Sequence, residues 1–373
     1  MSQLDAIEWG EFRLETLFGK STRGKRLKSE DRIPGTLPFV TAGEKDEGVS
    51  AFIGNNVEVF SKNTITIDMF GSAKYRNYEY GADDHVAVVH TENLPKHAAI
   101  FVTSAIHKSS YTEKFDYGRN FYAKDADELI VSLPIKNKKL DFDFMERFIA
   151  ELEAERIAEL DNYLAATGLK DYALTAEEQK ALDDYHNLAF DEFNVVDVFT
   201  VKNTRNILSR EIIENSGHTP YLCASSEDNG VSSYIDYDNA MLEEGSCIFI
   251  GGKTFVVSYQ EKDFFSNDSH NLALYLKRSD KRTRLDQLYL AACVNKSLGY
   301  KYSWGDSISN KKIQTDKVAL PTQANQPDFD QMAVFISAIQ KLVIKDVVLF
   351  AERHIAAYQT VVTNTKVSIR DDI

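Results

Sequence analysis

The sequence predicts an α+β protein written twice. A strand-rich domain followed by a long helix is duplicated in tandem, and the two helices meet as an antiparallel coiled-coil-like spacer. Three observations across the 373 residues predict this. The stretch PFVTAGEKDEGVSAFI at 38–53 is echoed by PYLCASSEDNGVSSYI at 220–235, with Pro38, Phe39, Gly48, Val49, Ser50 and Ile53 falling on Pro220, Tyr221, Gly230, Val231, Ser232 and Ile235. At an offset of 187, YGR at 117–119 falls on WGD at 304–306, LP at 133–134 on LP at 320–321, and DFDFM at 141–145 on DFDQM at 328–332. After each Leu-Pro, apolar residues recur at helical spacing over a long segment.

Each element has its own local reason. Residues 1–139 form the first domain, where NTITIDMF and HVAVVH are β-branched runs bounded by Asn, Gly, Asp and Ser. Pro134 ends the last strand. Residues 140–166 form the first spacer helix, capped by Asp141 or Asp143, with the apolar stripe Met145, Ile149, Leu152, Leu160 and Tyr163. Residues 167–189 are an acidic linker in which LTAEEQKAL reads as a short helix, opened by a capping box of Thr175 and Glu178. Residues 190–325 repeat the strand-rich domain through SCIFIGGKTFVVSY and NLALYLK. Residues 326–362 form the second spacer helix, with the stripe Met332, Ile336, Ile339, Val343, Val347 and Phe350, and 363–373 are a tail. At 1.5 Å per residue the two helices reach roughly 38 and 50 Å, more than a small domain covers. Each stripe therefore needs a partner: the other helix, or its own strand domain folded back on it.

The charge is segregated. The chain carries a net −14, yet residues 141–192 alone hold 15 acids against Arg147, Arg156, Lys170 and Lys180. Outside that block, Lys20–Lys28 has five basic residues and no acid, and 277–317 has ten basic against four acidic. Such a field repels a polyanion from the middle of the chain and attracts it elsewhere. No run of about 18 apolar residues exists to span a membrane, and the start MSQLDAIEWGEF lacks the basic-then-apolar order of a signal peptide, so a cytoplasmic protein is expected. Cys223, Cys247 and Cys293 are too scattered for a disulfide framework or a zinc site and are expected as buried free thiols.

Catalytic signatures are missing. No two prolines are adjacent, which excludes an Asn-Pro-Pro-Tyr loop; no Gly-x-Gly occurs; and Pro327-Asp328 lacks the downstream carboxylate–lysine pair of a nuclease. GSCIFIGGKT at 245–254 resembles a phosphate loop, but Cys247 stands where that loop needs glycine and a strand follows instead of a helix, so a tight strand connection is expected. His85 beside Asp83 and Asp84, and His270 beside Asp268, read as hydrogen-bonded turns before strands. What recurs in both repeats is polar and basic surface of the kind that contacts phosphates and base edges. In the first repeat it comprises Lys20, Arg23, Lys25, Arg26, Thr41, Lys45, Ser72, Lys74, Tyr75, Arg76 and Arg119. In the second it comprises Ser225, Ser226, Lys253, Thr254, His270, Lys301, Tyr302, Lys311 and Lys312.

Taken in order, PYLCASSEDNGVSSYI, ITIDMFGSAKYR, YSWGDSISNKKIQTDKVALP, the helix after each Leu-Pro and YLAATGLKDYALTAEE resemble the specificity subunits of Type I restriction-modification systems and their BcgI-like Type IIB relatives. The resemblance covers nearly the whole chain. It implies two target recognition domains, each reading a half-site through the major groove, held apart by the spacer helices. It implies a non-catalytic subunit whose partners are double-stranded DNA, two DNA adenine methyltransferase subunits and a restriction or translocase subunit. It also implies no cofactor of its own: S-adenosylmethionine, and Mg with any nuclease, belong to the partner subunits. Two alternatives stay open. One is a DNA-binding or interaction scaffold of another phage or defence system; the other is a stand-alone DNA methyltransferase, against which the absent cofactor loop counts.

Overall fold

Runs with every residue buried, the β-branched TITID and VAVV in the first repeat and CIFIG and the leucine-rich LALYL in the second, lie at the centre of a four-stranded sheet in each. The computed structural model describes residues 3–371, with the side chains of the last helix described as far as Ala357. It divides into two units, Met1–Leu160 with Arg353–Ile373, and Asp161–Glu352. Each unit therefore includes the far end of the long helix that begins in the other.

The first unit runs β1 (Glu8–Arg13), α1 (Leu14–Phe18), β2 (Thr22–Arg23), β3 (Pro34–Val40), β4 (Val49–Ile53), β5 (Thr64–Asp68), β6 (Ala73–Arg76), β7 (Gly81–Ala82) and β8 (Val86–Val89). It continues with α2 (Lys96–Ser110), α3 (Ala123–Glu128), β9 (Ile130–Lys136), β10 (Lys139–Leu140) and α4 (Phe142–Ala166). The second unit opens with α5 (Ala176–Asp183), β11 (Phe190–Asn194), α6 (Val195–Val198), β12 (Phe199–Asn203), β13 (Thr219–Leu222), β14 (Val231–Ile235), β15 (Cys247–Gly251) and β16 (Val256–Gln260). It closes with β17 (Phe265–Ser266), β18 (Leu272–Leu276), α7 (Arg284–Leu298), α8 (Asn310–Ile313), β19 (Lys317–Gln323), β20 (Gln326–Pro327) and α9 (Phe329–Asp371).

The two units share one topology strand for strand. Sheet orders β1-β9-β10, β2-β8-β5-β6 and β4-β3-β7 return as β11-β19-β20, β12-β18-β15-β16 and β14-β13-β17. Registers repeat too: Ile65 lies opposite Tyr75 and Val89, and Ile248 opposite Tyr259 and Leu274. Even the bulge between Phe39 and Val40 reappears between Tyr221 and Leu222. In each unit the main core lies between the four-stranded sheet and α2 or α7, and the first turns of the long helix close it: Phe144, Met145 and Ile149 in one, Phe329 and Met332 in the other. Capping of both helices is also duplicated. Asp141 Oδ1 accepts from the Phe144 amide and Asp328 Oδ1 from the Gln331 amide, each at 3.0 Å.

The helix stripes depart from the sequence reading. On α4, Met145 and Ile149 are buried, but Leu152 and Tyr163 are exposed, and Leu164 is buried instead. On α9, Met332 is buried and Ile336 packs on the core, whereas Ile339 is half-buried and Val343 is 74% exposed. The buried residues farther along α9 are Ala338, Val348 and Ala351. At 3.6 residues per turn, Val348 sits about 160° around the helix from Met332. Part of that opposite face is bonded to the linker. Lys341, on that opposite face, donates to the Ala173 carbonyl at 2.9 Å and to Glu178 at 3.0 Å, and Ser337 Oγ donates to Glu178 at 2.6 Å. The helix also continues to Asp371, through residues expected as a tail.

Glu178 thus does more than complete the capping box with Thr175, which the structure contains. Burial pushes its carboxyl up, but the bonds from Ser337, the Thr175 amide and Lys341 outweigh this and hold it at about 2. A carboxyl depressed in the fold stabilises fully above its ordinary range and stops doing so as pH falls through its folded value. Glu178→Gln is therefore expected to cost about 2 kcal/mol at neutral pH and to flatten the acid limb of stability between about pH 4.5 and 2. Urea unfolding across pH tests this; an acid limb identical to that of the parent chain would overturn the assignment.

The phosphate-loop look-alike is a hairpin, β15 running straight into β16. Of the thiols, Cys247 is buried as expected, while Cys223 and Cys293 are only partly so.

Candidate nucleic-acid interface

Three connections meet at one end of each unit. In the first they are the β3–β4 turn, the β5–β6 hairpin and the β7–β8 loop. Asp68, at the end of β5, ties two together, its carboxylate accepting from the amides of Phe70 (2.9 Å), Ser72 (3.0 Å) and Gly43 (3.2 Å). The Asp83 amide donates to the Val40 carbonyl and brings in the third. In the second unit Thr254 Oγ1 donates to the Ala224 carbonyl at 2.9 Å, and the Asn267 amide to the Leu222 carbonyl.

The β3–β4 turn shows how a frame can stay fixed while its surface changes. Thr41 N–H donates to the Gly48 carbonyl at 2.8 Å, and Cys223 N–H to that of Gly230 at 2.8 Å. Both turns pass through the left-handed region, at Asp46 (φ 49°), Glu47 (54°) and Gly48 (80°), and at Asp228 (47°), Asn229 (54°) and Gly230 (82°). Asp and Asn tolerate this conformation, but Glu47 is strained by it, and a Cβ at Gly48 would lie 2.6 Å from the Thr41 carbonyl oxygen. A side chain from the last residue of the adjoining strand fastens each turn. Arg76, opposite Thr64, donates from Nη2 to the Glu47 carbonyl at 2.8 Å; Gln260, opposite Cys247, donates from Nε2 to the Asn229 carbonyl at 2.9 Å.

That geometry revises the expected contacts. Arg76 is 1% exposed, its Nε donating to Thr66 Oγ1 and its Nη1 to the Tyr78 hydroxyl, both at 2.9 Å. Ser72 is buried as well. These two are scaffold: Arg76 is held inward by its hydrogen-bond acceptors and Ser72 by closure of the hairpin, its amide donating to Asp68. Lys74 is only partly exposed, donating to Ser72 Oγ at 2.8 Å and to Glu44 at 3.2 Å. Tyr75 is half-buried and donates to Asn63 Oδ1. Tyr302 is bound inward too, its hydroxyl donating to Asp316 at 2.6 Å, and Lys301 pairs with the same carboxylate at 3.2 Å.

Other expected residues do face outward. Lys20, Arg23, Lys25 and Arg26 are exposed, and the Lys25 amide fastens their segment to the Ala82 carbonyl beside the β7–β8 loop. Arg23 and Arg119 line one groove of about 500 Å³ together with Lys124 and Tyr122. Lys45, Ser226, Lys253, Thr254, His270, Lys311 and Lys312 are exposed, with Thr41 and Ser225 half-buried beside them. Lys312 is bonded to Asp306. Burial opposes ionisation of Asp268, yet bonds from the His270 amide, Lys253 (2.9 Å) and the His270 ring (2.7 Å) hold it at about 2. His270 and Lys253 are thus gathered on one carboxylate. Asp83, Asp84 and His85 occupy the matching loop of the first unit and are the one group of potential metal ligands among the described residues. Their own bonds make a turn, with the Asp84 amide on Asp83 Oδ1 and His85 Nδ1 at 3.4 Å from Asp84.

One feature repeats beside the loops. Asp116-Tyr-Gly-Arg119 and Ser303-Trp-Gly-Asp306 are four-residue turns, each closed by reciprocal amide–carbonyl bonds between its first and last residues: 3.0 and 3.2 Å in one, 3.3 and 3.0 Å in the other. The glycine and the preceding aromatic are common to both, while the closing residue changes from Arg to Asp. The sequence pairs these turns, but neither Tyr117 nor Trp304 is among the contacts expected from it.

A family model described as the Type I restriction modification DNA specificity domain matches residues 6–162 and 187–348. Over 159 residues, 41% of the chain, the sequence is 28% identical to the Type II restriction enzyme BgcI specificity subunit S.BcgI of Heyndrickxia coagulans; the match spans 46% of that relative. The fold is similar to the crystal structure of a Type-I restriction-modification system S subunit from M. genitalium, with a TM-score of 0.57 and 15% identity, over 98% of this chain and 96% of that one. Among the described residues, no helix is long and apolar enough to cross a membrane.

Proposed function

The chain belongs to the family of Type I restriction modification DNA specificity domains, and from that premise we propose that it is the DNA-reading, non-catalytic subunit of a restriction-modification complex. Each unit reads one half of a bipartite duplex site. The observation that carries this reading is the loop end repeated in both units with one hydrogen-bonded frame and different exposed side chains: Glu44, Lys45, Asp46 and Glu47 in one turn, Ser226, Glu227, Asp228 and Asn229 in the other. A fixed frame with changed side chains suits two different half-sites, since base-edge donors and acceptors carry the sequence information.

The remaining parts follow from the same reading. The long helices α4 and α9 set the gap between half-sites. DNA adenine methyltransferase subunits, which bring their own S-adenosylmethionine, dock on the helical region, where Leu342 and Val343 are exposed and a cavity of about 1000 Å³ is lined by Tyr185, Phe190, Tyr289, Phe335 and Ile339 together with Glu192, Lys296 and Lys317. A restriction or translocase subunit, with any Mg it needs, joins through the same assembly.

The test is to purify the chain with its methyltransferase and map methylated sites by sequencing. Lys45→Ala is expected to change preference in one half of the site and Lys253→Ala in the other, by about 1–3 kcal/mol if the side chain meets a base. Changes in both halves after one substitution, or methyl transfer by the chain alone, would count against the proposal.

A further inference from the structure

Tyr117 is 85% exposed and Trp304 80%, each at the second position of the repeated four-residue turn. Neither ring serves its domain's core. Both turns stand on the hairpin that belongs to the loop end. Phe70 of the β5–β6 hairpin meets the Tyr117 ring edge-on at 5.2 Å, and the Phe121 amide bonds the Met69 carbonyl. In the second unit Phe255 of the β15–β16 hairpin stacks at 5.4 Å on Tyr302, two residues before Trp304. Arg119 of the first turn lines a groove with Arg23 and Lys124 and pairs with Asp125 at 3.4 Å, and in the second unit Lys311 and Lys312 are exposed, Lys312 pairing with Asp306 of the turn. An exposed aromatic on a closed turn with basic side chains in reach, built twice beside the loops, matches a polyanion that also offers apolar surface.

Resting on the reading of the chain as a DNA specificity subunit, we propose that Tyr117 and Trp304 are the apolar DNA contacts of the two units, each ring laid against the duplex beside the loop end and withdrawn from water on binding. The phosphates are drawn by the surrounding cations and the ring meets base or sugar surface, such as a thymine methyl or a partly opened base step. Because the turns are closed by backbone bonds, the backbone that carries each ring is set before DNA arrives and loses little freedom on contact.

The chain has two tryptophans, Trp9 and Trp304. Trp9→Phe keeps an aromatic ring against Phe101 and leaves Trp304 as the only indole. The probe is mixed-sequence duplex DNA at low salt with unlabelled methyltransferase present; the chain carries 5-hydroxytryptophan, excited where ordinary tryptophan does not absorb, and gel shift runs in parallel with acrylamide quenching. DNA is expected to lower the quenching of Trp304 several-fold. Trp304→Ala and Tyr117→Ala are each expected to weaken binding about tenfold. Binding at parental affinity by both alanine variants, with Trp304 as quenchable as before, would overturn the contact and leave the DNA-reading proposal standing. Protection of Trp304 by the methyltransferase without DNA would make the tip a protein-docking site and also overturn it. Absence of any shifted duplex would overturn the DNA-reading proposal itself, and this inference with it.

Discussion

Arg76→Met is expected to destabilise the first unit by about 3 kcal/mol and to change DNA preference in one half-site only. The guanidinium is buried and serves three acceptors, Thr66 Oγ1, the Tyr78 hydroxyl and the Glu47 carbonyl. Methionine fills similar volume but leaves the Glu47 carbonyl without its donor, beside a left-handed φ of 54° that glutamate does not favour. The turn then loses its set shape, and with it the presentation of Lys45. Arg76→Gln is the informative companion, because Gln260 holds the matching carbonyl in the second unit. Glutamine is expected to recover about half of the lost stability and most of the half-site preference, although it is shorter and satisfies fewer acceptors. Denaturant unfolding and methylation mapping on both variants decide the matter. If Arg76→Met shifts stability but leaves preference in both halves untouched, the turn is not a reading element and Arg76 is only a core residue.

Arg76 also shows where the sequence was legible and where it was not. Duplication was visible because the frame residues are spelled alike: Pro38 and Pro220, Gly48 and Gly230, and Ser50 and Ser232, whose hydroxyls both bond back to the carbonyl of the partner strand at 3.2 Å. Helix caps were visible because Asp141, Asp328 and Thr175 act on backbone within four residues. Arg76 was read as a DNA contact because it is basic and follows Lys74 and Tyr75. Its inward direction depends on strand register and on a turn 29 residues away, neither of which local spacing encodes. The match of Arg76 to Gln260 was equally hidden, since the two side chains share only a donor and a reach. The tips at Tyr117 and Trp304 were aligned correctly, but their exposure depends on a short turn closing on itself.

The largest effect expected from one substitution lies on α9, where the sequence offers two apolar faces and does not say which is covered. Val343 belongs to the stripe that starts at Met332, while Val348 lies about 160° around from Met332, on the side where Ser337 and Lys341 bond the linker. Hydropathy ranks the two valines alike, yet Val348 is 0% exposed and Val343 74%. Val348→Asp therefore puts a carboxylate at a fully buried position and is expected to cost about 4–5 kcal/mol, enough to unfold a domain of ordinary stability. Val343→Asp is expected to change stability by less than about 0.5 kcal/mol. Its effect should fall on assembly, because a charge placed on the exposed face opposes an apolar partner there. Circular dichroism melts of the chain, with co-purification of the methyltransferase, separate the outcomes. A melted Val343→Asp beside a folded Val348→Asp would mean that the stripe from Met332 is the covered face after all. A folded Val343→Asp that still assembles fully would move the docking surface off this helix and onto the strand domains.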